Sequence, residues 1–336
     1  MLAARRCLEV EDGSYIYVHA DRHLAWPEAT ALVHGGRMRP INHDQRHAVT
    51  TAEAAALIAE GHAAPVGGRL FEQPDLCELV FEWDNAGELA FITDRVAASP
   101  GVGVEFGCGG GRLLRPLRAA GIDLDGIDAS EPAIRWLADE LAGQPVDRSV
   151  GRGRLMVADM DSFCAPGQYD FALAGLNTLR YLPSWAALRR HLHAAAVSVV
   201  SGGVYLVLID TWTPTASPAP DGDSGEWETP PGPDGLPLRV VWSKIRHDPA
   251  DGMDLERVEV FRGDERLVDE YQLQLAAPAP HWRKVFTETG EWTVESVHVD
   301  EGDTARELTD DFEPVAGNCW FVLRRTEVEG PSLITR

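Results

Sequence analysis

Apolar positions recur along the chain in two periods, and each change of period marks an element. The period of two comes first: Tyr15, Tyr17 and His19 alternate with Ile16, Val18 and Ala20, which predicts a strand. Thr50 and Glu53 have capping-box spacing, and a helix is expected over 54–60, stopped by Gly61. From Pro74 to Ala98 the helical period takes over, through Leu76, Leu79, Val80 and Trp83 and then Leu89, Phe91, Ile92 and Val96, with a break near Asn85 to Gly87. Val102, Val104 and Phe106 form a short strand that enters a run of glycines. Leu113, Leu114 and Leu117 follow as a helix with Gly121 at its C-terminal end.

The alternation then repeats. A strand over 122–128 ends on Asp128, and Ser130 caps the next helix with Pro132 in its first turn. Strands are expected over 154–158 and 169–174, a helix from Ser184 to Gly202, and an apolar strand over 203–209 of the kind buried in a parallel sheet. Residues 213–237 are rich in Pro, Gly, Ser and Asp and read as a long loop. Three β-like runs, 238–246, 254–262 and 266–275, predict an antiparallel insertion. A helix over 280–290 and strands over 292–299 and 319–324 close the pattern, the last two as a hairpin. The divisions are an N-terminal extension (1–75, a lid or a dimer contact), a core (76–212), the loop (213–237), the insertion (238–278) and the closing elements (279–326).

Composition narrows the function. A formal charge of −23 over 336 residues argues against a nucleic-acid partner, which would demand a basic face. Five scattered cysteines without C-x-x-C spacing read as reduced thiols, and no apolar run is long enough to span a bilayer. A soluble cytoplasmic protein is expected, with no membrane partner. His191 and His193 stand two apart, so they do not share a helix face, and no metal site is expected there.

The chemistry centres on Glu105-Phe106-Gly107-Cys108-Gly109-Gly110-Gly111. Strand, glycine turn and helix in that order make a ligand site, because the backbone can approach closely and the helix start offers unpaired N–H groups. A dinucleotide loop needs G-x-G-x-x-G, and counting from Gly107 its last glycine falls on Arg112. No Lys-Ser/Thr follows to make a phosphate loop. Glu105 would repel a pyrophosphate and suits a ligand carrying an ammonium group. S-adenosylmethionine (SAM) has an ammonium, a sulfonium, an adenosine and no phosphate.

The run resembles motif I of the class I SAM-dependent methyltransferases, E/D-x-G-x-G-x-G. Gly-Ile-Asp-Ala-Ser around Asp128 resembles the second motif, and Asp159-Met160-Asp161-Ser162-Phe163 reproduces the family's D-M-x-x-F. The resemblance covers about 76–209 and resumes at the final helix and strands. It implies an α/β fold with a Rossmann-like seven-stranded class I methyltransferase sheet. Its cofactor would meet Glu105, Gly107, Cys108, Gly109 and Gly111 in the glycine turn. Asp128 and Ala129 would lie at the ribose, Asp159 and Met160 at the adenine, and Leu176 beyond the fourth strand.

The loop 175–182 resembles motif IV without the N/D-P-P-Y sequence, which favours a small-molecule acceptor. Asn177, Tyr181 and His23 are the catalytic candidates, and Trp83, Arg180 and Trp212 the substrate-side ones. Each also has an ordinary reading in packing or loop hydrogen bonding. If a base is needed, His23, His19 or Asp210 could supply it. The implied activity is in-line methyl transfer to N, O or C of a specialised biosynthetic metabolite, with a homodimer as an expected assembly. The alternatives are SAM chemistry without methyl transfer, such as ring closure within the cofactor's amino-acid arm, a protein methyltransferase, or a non-catalytic SAM binder.

Overall fold

The computed structural model of the chain describes residues 7–9, 15–18, 51–59, 63–66, 70–97, 101–142, 153–211, 224–232, 234–248, 252–300, 305–308 and 317–327. In chain order these give β1 (Cys7–Glu9), β2 (Tyr15–Val18), α1 (Thr51–Ala59) and β3 (Ala63–Val66). Next come α2 (Pro74–Val80), α3 (Ala86–Val96), β4 (Gly103–Phe106), α4 (Leu114–Ala119), β5 (Leu124–Asp128), α5 (Glu131–Ala142), β6 (Leu155–Val157) and β7 (Tyr169–Ala174). A 3-10 turn (Thr178–Tyr181), α6 (Trp185–Ser198) and β8 (Val199–Thr211) follow. The chain continues through β9 (Ser224–Glu228), β10 (Leu238–Asp248), β11 (Met253–Arg262) and β12 (Glu265–Leu275). It closes with α7 (Ala279–Thr287), β13 (Trp292–Asp300), β14 (Ala305–Glu307) and β15 (Gly317–Arg325).

The chain folds as two compact units. One comprises Met1–Arg69, Ser224–Ile245 and Leu255–Leu273, and the other Leu70–Asp223, Arg246–Asp254 and Gln274–Arg336.

The larger unit holds a sheet of order β14-β13-β15-β8-β7-β4-β5-β6. β6, β5, β4, β7 and β8 run parallel, whereas β15, β13 and β14 are antiparallel. This is the expected Rossmann-like order with one addition, because β14 forms an eighth strand inside the acidic stretch after β13. Period-two alternation in β8 shows how the sheet is buried on both sides. Val204, Leu206 and Leu208 join Ile92, Val96, Leu114 and Leu117 on one face. Tyr205, Val207 and Ile209 join Leu188, Leu192, Trp282 and Phe286 on the other. Helices α3, α4 and α5 thus cover one face, and α6 and α7 the other.

Two local expectations shift. The helix begun by Ser184, whose Oγ accepts from Ala187 N at 3.1 Å, stops at Ser198 rather than Gly202. Val199 and Val200 are β-branched and start β8 early, and a register irregularity against β7 separates them from the run after Gly202, which takes φ +76°.

The smaller unit's sheet has the order β1-β2-β3-β12-β11-β10-β9. The three insertion strands are present near the expected limits. β9 lies inside the stretch read as loop, and it pairs antiparallel with β10 from Glu228 opposite Arg239 to Ser224 opposite Ser243. The N-terminal strands are not a separate layer. β3 pairs parallel with β12, Val66 facing Tyr271, so extension and insertion build one sheet.

Candidate active site

In the larger unit the strand order reverses between β4 and β7, and the crevice outside the carboxyl ends of such strands is where open α/β sheets bind ligands. The glycine turn leaves β4 there. Gly107 N and Cys108 N both donate to Ile127 O, at 2.7 and 3.0 Å, which ties the turn to the end of β5. Gly107, Gly109 and Gly111 take φ of +68°, +51° and +86°. A Cβ at Gly107 would stand 2.3 Å from Thr178 Cγ2, so the turn after β7 packs directly on this one. A Cβ at Gly109 would meet nothing within 4 Å; here the glycine leaves its backbone facing open space. Cys108 is buried, and burial pushes its thiol well above the ordinary range, so it is an inert filler of the turn.

Glu105 is the electrostatic centre. It is 4% exposed on β4 and its Oε2 has no hydrogen-bond partner. Burial pushes its carboxyl up to about 8; Arg112 opposes that shift and Asp128 adds to it. A buried carboxylate without a partner is costly, so a residue of this kind at a strand end points to a cationic ligand group. The turn beyond it is fastened by ion pairs that sequence reasoning missed. Arg112 makes a bidentate pair with Glu88 (2.5 and 2.9 Å), and Arg115 pairs with Glu78. Neither has a local signature; only the prediction of a helix before β4 hinted that something covers the turn.

Asp128, at the end of β5, accepts from Gly109 N at 2.8 Å through Oδ2 and from Ser130 N at 2.7 Å through Oδ1. It shapes the glycine turn and stands half-buried beside the exposed Ala129. Asp159 is exposed after β6, its Oδ1 accepting from Asp161 N at 3.0 Å, with Met160 half-buried beside it. The backbone carbonyl of Met160 lies 2.8 Å from His191 Nδ1.

The turn after β7 carries backbone strain. Leu176 (φ +42°) and Asn177 (φ +64°) are consecutive non-glycine residues in the left-handed region, a costly conformation that clusters at functional sites. It is held by Asn177 N donating to Leu208 O at 3.2 Å, by Asp210 N donating to Asn177 Oδ1, and by Asn177 Nδ2 donating to Asn318 Oδ1 at 3.4 Å. The Asn177 amide is therefore engaged on both sides. Arg180 is buried, with Nε donating to Leu275 O at 2.9 Å and its other nitrogens 3.4 Å from Asp210 and 3.5 Å from Asp254. Its charge supports the loop from beneath. The Tyr181 hydroxyl accepts from Gln274 Nε2 at 3.3 Å, and its ring meets Phe71 edge-on. Trp83 is 42% exposed, with the Arg112 guanidinium 5.8 Å from its ring centroid. His23, His19 and Trp212 lie outside the described residues.

Residues 83–231 match the family model of a methyltransferase domain. The region has the class I methyltransferase fold. No curated protein sequence matches the chain. Among solved structures, one similar to this chain is a S-adenosylmethionine-dependent methyltransferase from Clostridium acetobutylicum. It is 14% identical at a TM-score of 0.59, over 74% of this chain and 96% of that one. A second is an amino pentose methyltransferase from Micromonospora echinaspora involved in calicheamicin biosynthesis, solved with SAM bound (18% identity, TM-score 0.55, 78% and 98% covered). A third is a sugar N-methyltransferase from Streptoalloteichus sp. (16%, TM-score 0.50, 87% and 98%). At these identities the likeness establishes the fold.

SAM is the expected cofactor of the methyltransferase, and the residues present fit it. The orphaned Glu105 carboxyl complements an ammonium, and Gly109 leaves room for close approach. Exposed Asp159 and half-buried Met160 offer an acceptor and an apolar edge at the next strand end. Among the described residues no cluster of His, Cys, Asp or Glu could hold a metal ion, and no helix is long and apolar enough to cross a membrane.

Proposed function

We propose that this methyltransferase acts on a small molecule of a specialised biosynthetic route. The observation that carries the cofactor half is Glu105, a buried carboxylate with an unpartnered oxygen at the switch point of the sheet. Glu105 binds the ammonium of SAM, and the Gly109 backbone, set by Asp128, lies along its amino-acid arm. Asp128 takes the ribose hydroxyls, for which each carboxylate oxygen has a second lone pair. Asp159 accepts from the adenine amino group while Met160 packs on the ring. The bound cofactor supplies an electrophilic methyl group on its sulfonium.

The rest of the chain positions the acceptor and excludes water. Leu176 and Asn177 hold a strained turn against the glycine turn, which keeps the acceptor loop at a fixed height over the cofactor crevice. Arg180 anchors that loop from below. Tyr181, Trp83 and the half-exposed Asp210 line the acceptor side, where Asp210 can take a proton from an amine or hydroxyl. The acidic surface and the absence of an N/D-P-P-Y loop favour a metabolite over nucleic acid. The likeness to amino pentose and sugar N-methyltransferases favours an amine-bearing acceptor.

Calorimetric titration with SAM and S-adenosylhomocysteine, with NADH as control, tests the cofactor. Binding of both sulfur ligands and none of NADH is expected; failure of both to bind the folded protein refutes it. Incubating SAM with small amines and hydroxyl compounds, and looking for products one methyl group heavier, tests the acceptor class.

A further inference from the structure

Two buried side chains outside the cofactor motifs support the loop that carries one of them. His191 on α6 and Tyr205 on β8 have no exposed surface. His191 Nδ1 is 2.8 Å from Met160 O and its Nε2 is 2.6 Å from the Tyr205 hydroxyl. A carbonyl can only accept, so Nδ1 carries the hydrogen. The neutral ring then has its lone pair on Nε2, and Tyr205 must donate to it. Burial favours that neutral form, holding the imidazole down to about 4.

The pair reaches more than one element. The His191 ring meets Phe106, the last residue of β4 before Gly107, edge-on at 4.8 Å, and Phe106 in turn meets Phe163 at 6.3 Å. Helix α6 grips the same loop at two further points, Arg190 pairing with Asp161 and Ala165 N donating to Ser198 Oγ at 2.9 Å. An apolar side chain would fill the place of His191 without burying a polar ring. What it could not do is hold the Met160 carbonyl in one place.

We propose that His191, locked in one tautomer by Tyr205, is the positioning residue that sets the Asp159–Met160 turn and so determines how tightly the adenine end of SAM is held. The proposal rests on the methyltransferase reading. His191 touches the loop's backbone and acts on the ligand only through it.

The test is calorimetric titration of the full chain with two probes, S-adenosylhomocysteine and the adenine-free S-ribosylhomocysteine. The Asn side chain places its amide near the position of Nδ1, and the Gln side chain near that of Nε2. His191→Asn should therefore bind S-adenosylhomocysteine nearly as wild type does. His191→Leu and His191→Gln should bind it about tenfold more weakly, and Tyr205→Phe a few-fold more weakly. Affinity for S-ribosylhomocysteine should be unchanged in all of them. Should His191→Leu fail to fold, the contrast between Asn and Gln decides. Equal S-adenosylhomocysteine affinities across the folded variants overturn the proposal, and so does a parallel loss of both probes, which marks a merely structural role. A wild-type protein that binds neither probe overturns the SAM reading itself.

Discussion

Replacing Glu105 with Gln should move stability and cofactor affinity in opposite directions. The side chain is 4% exposed and its Oε2 is unpartnered, so burial penalises its ionised form by more than the nearby Arg112 relieves. Its carboxyl is raised from 4.5 to about 8, chiefly by burial. A group whose folded pKa lies above its unfolded value binds more protons when folded. Stability therefore falls as pH rises through the window from 4.5 to about 8. At roughly 1.4 kcal/mol per unit, the full loss is at most about 5 kcal/mol. Gln keeps the shape and does not titrate. Urea denaturation should find the variant equal to wild type at acid pH and clearly more stable at about pH 9, on the same linkage. SAM affinity, by calorimetry near neutral pH, should drop about 10- to 100-fold, because a charge-assisted hydrogen bond to the ammonium is replaced by a neutral one. A variant less stable than wild type at alkaline pH, or one that binds SAM as well as wild type, would refute the assignment of Glu105 to the ammonium.

Other variants separate shape from contact in the same turn. Asp128→Ala should weaken SAM binding at least about tenfold with an unchanged circular dichroism spectrum, since it removes the acceptor of Gly109 N as well as the ribose partner. Gly107→Ala places a methyl 2.3 Å from Thr178 Cγ2 at φ +68°, and should lower stability by about 2–4 kcal/mol in denaturant titration. Gly109→Ala meets no neighbour, so its stability cost should stay near 1 kcal/mol while SAM affinity falls because the methyl projects into the open crevice. On the acid side, His191 is depressed from 6.5 to about 4, so stability should be lost as pH falls through that window, by about 3 kcal/mol at most, and His191→Asn should flatten the profile.

The glycine turn and the strand ends around it were legible because their determinants are local. A glycine turn, a carboxylate at a strand end and an acidic residue closing each following strand all lie within a few residues of the elements that place them. In the second sheet the three insertion strands were legible, but their union with the N-terminal strands was not, because that pairing is long-range. β3 reads Ala63-Ala64-Pro65-Val66, with a proline and no alternation, and only its neighbours Tyr17 and Tyr271 make it a strand. β9 was hidden by flanking prolines and glycines. Arg180, expected to face the substrate, is buried instead; no sequence pattern says that Asp254, 74 residues later, lies against it. His191 could have been found. Ala187, Leu188, Leu192 and Ala195 mark the buried stripe of α6, and His191 falls within it at helical spacing.

The pairing of β3 with β12 also orders events in time. Val66 and Tyr271 are separated by 205 residues, so on a ribosome adding about 5–20 residues per second the inner partner of β3 is made roughly 10–40 s after β3 itself. Over that interval β1, β2 and β3 present an unpaired edge while the Rossmann-like core is translated, a hazard that short strands blunt. Emergence of β12 is the step that closes the sheet. Deleting 224–275 from a gene would leave that edge open for the lifetime of the protein.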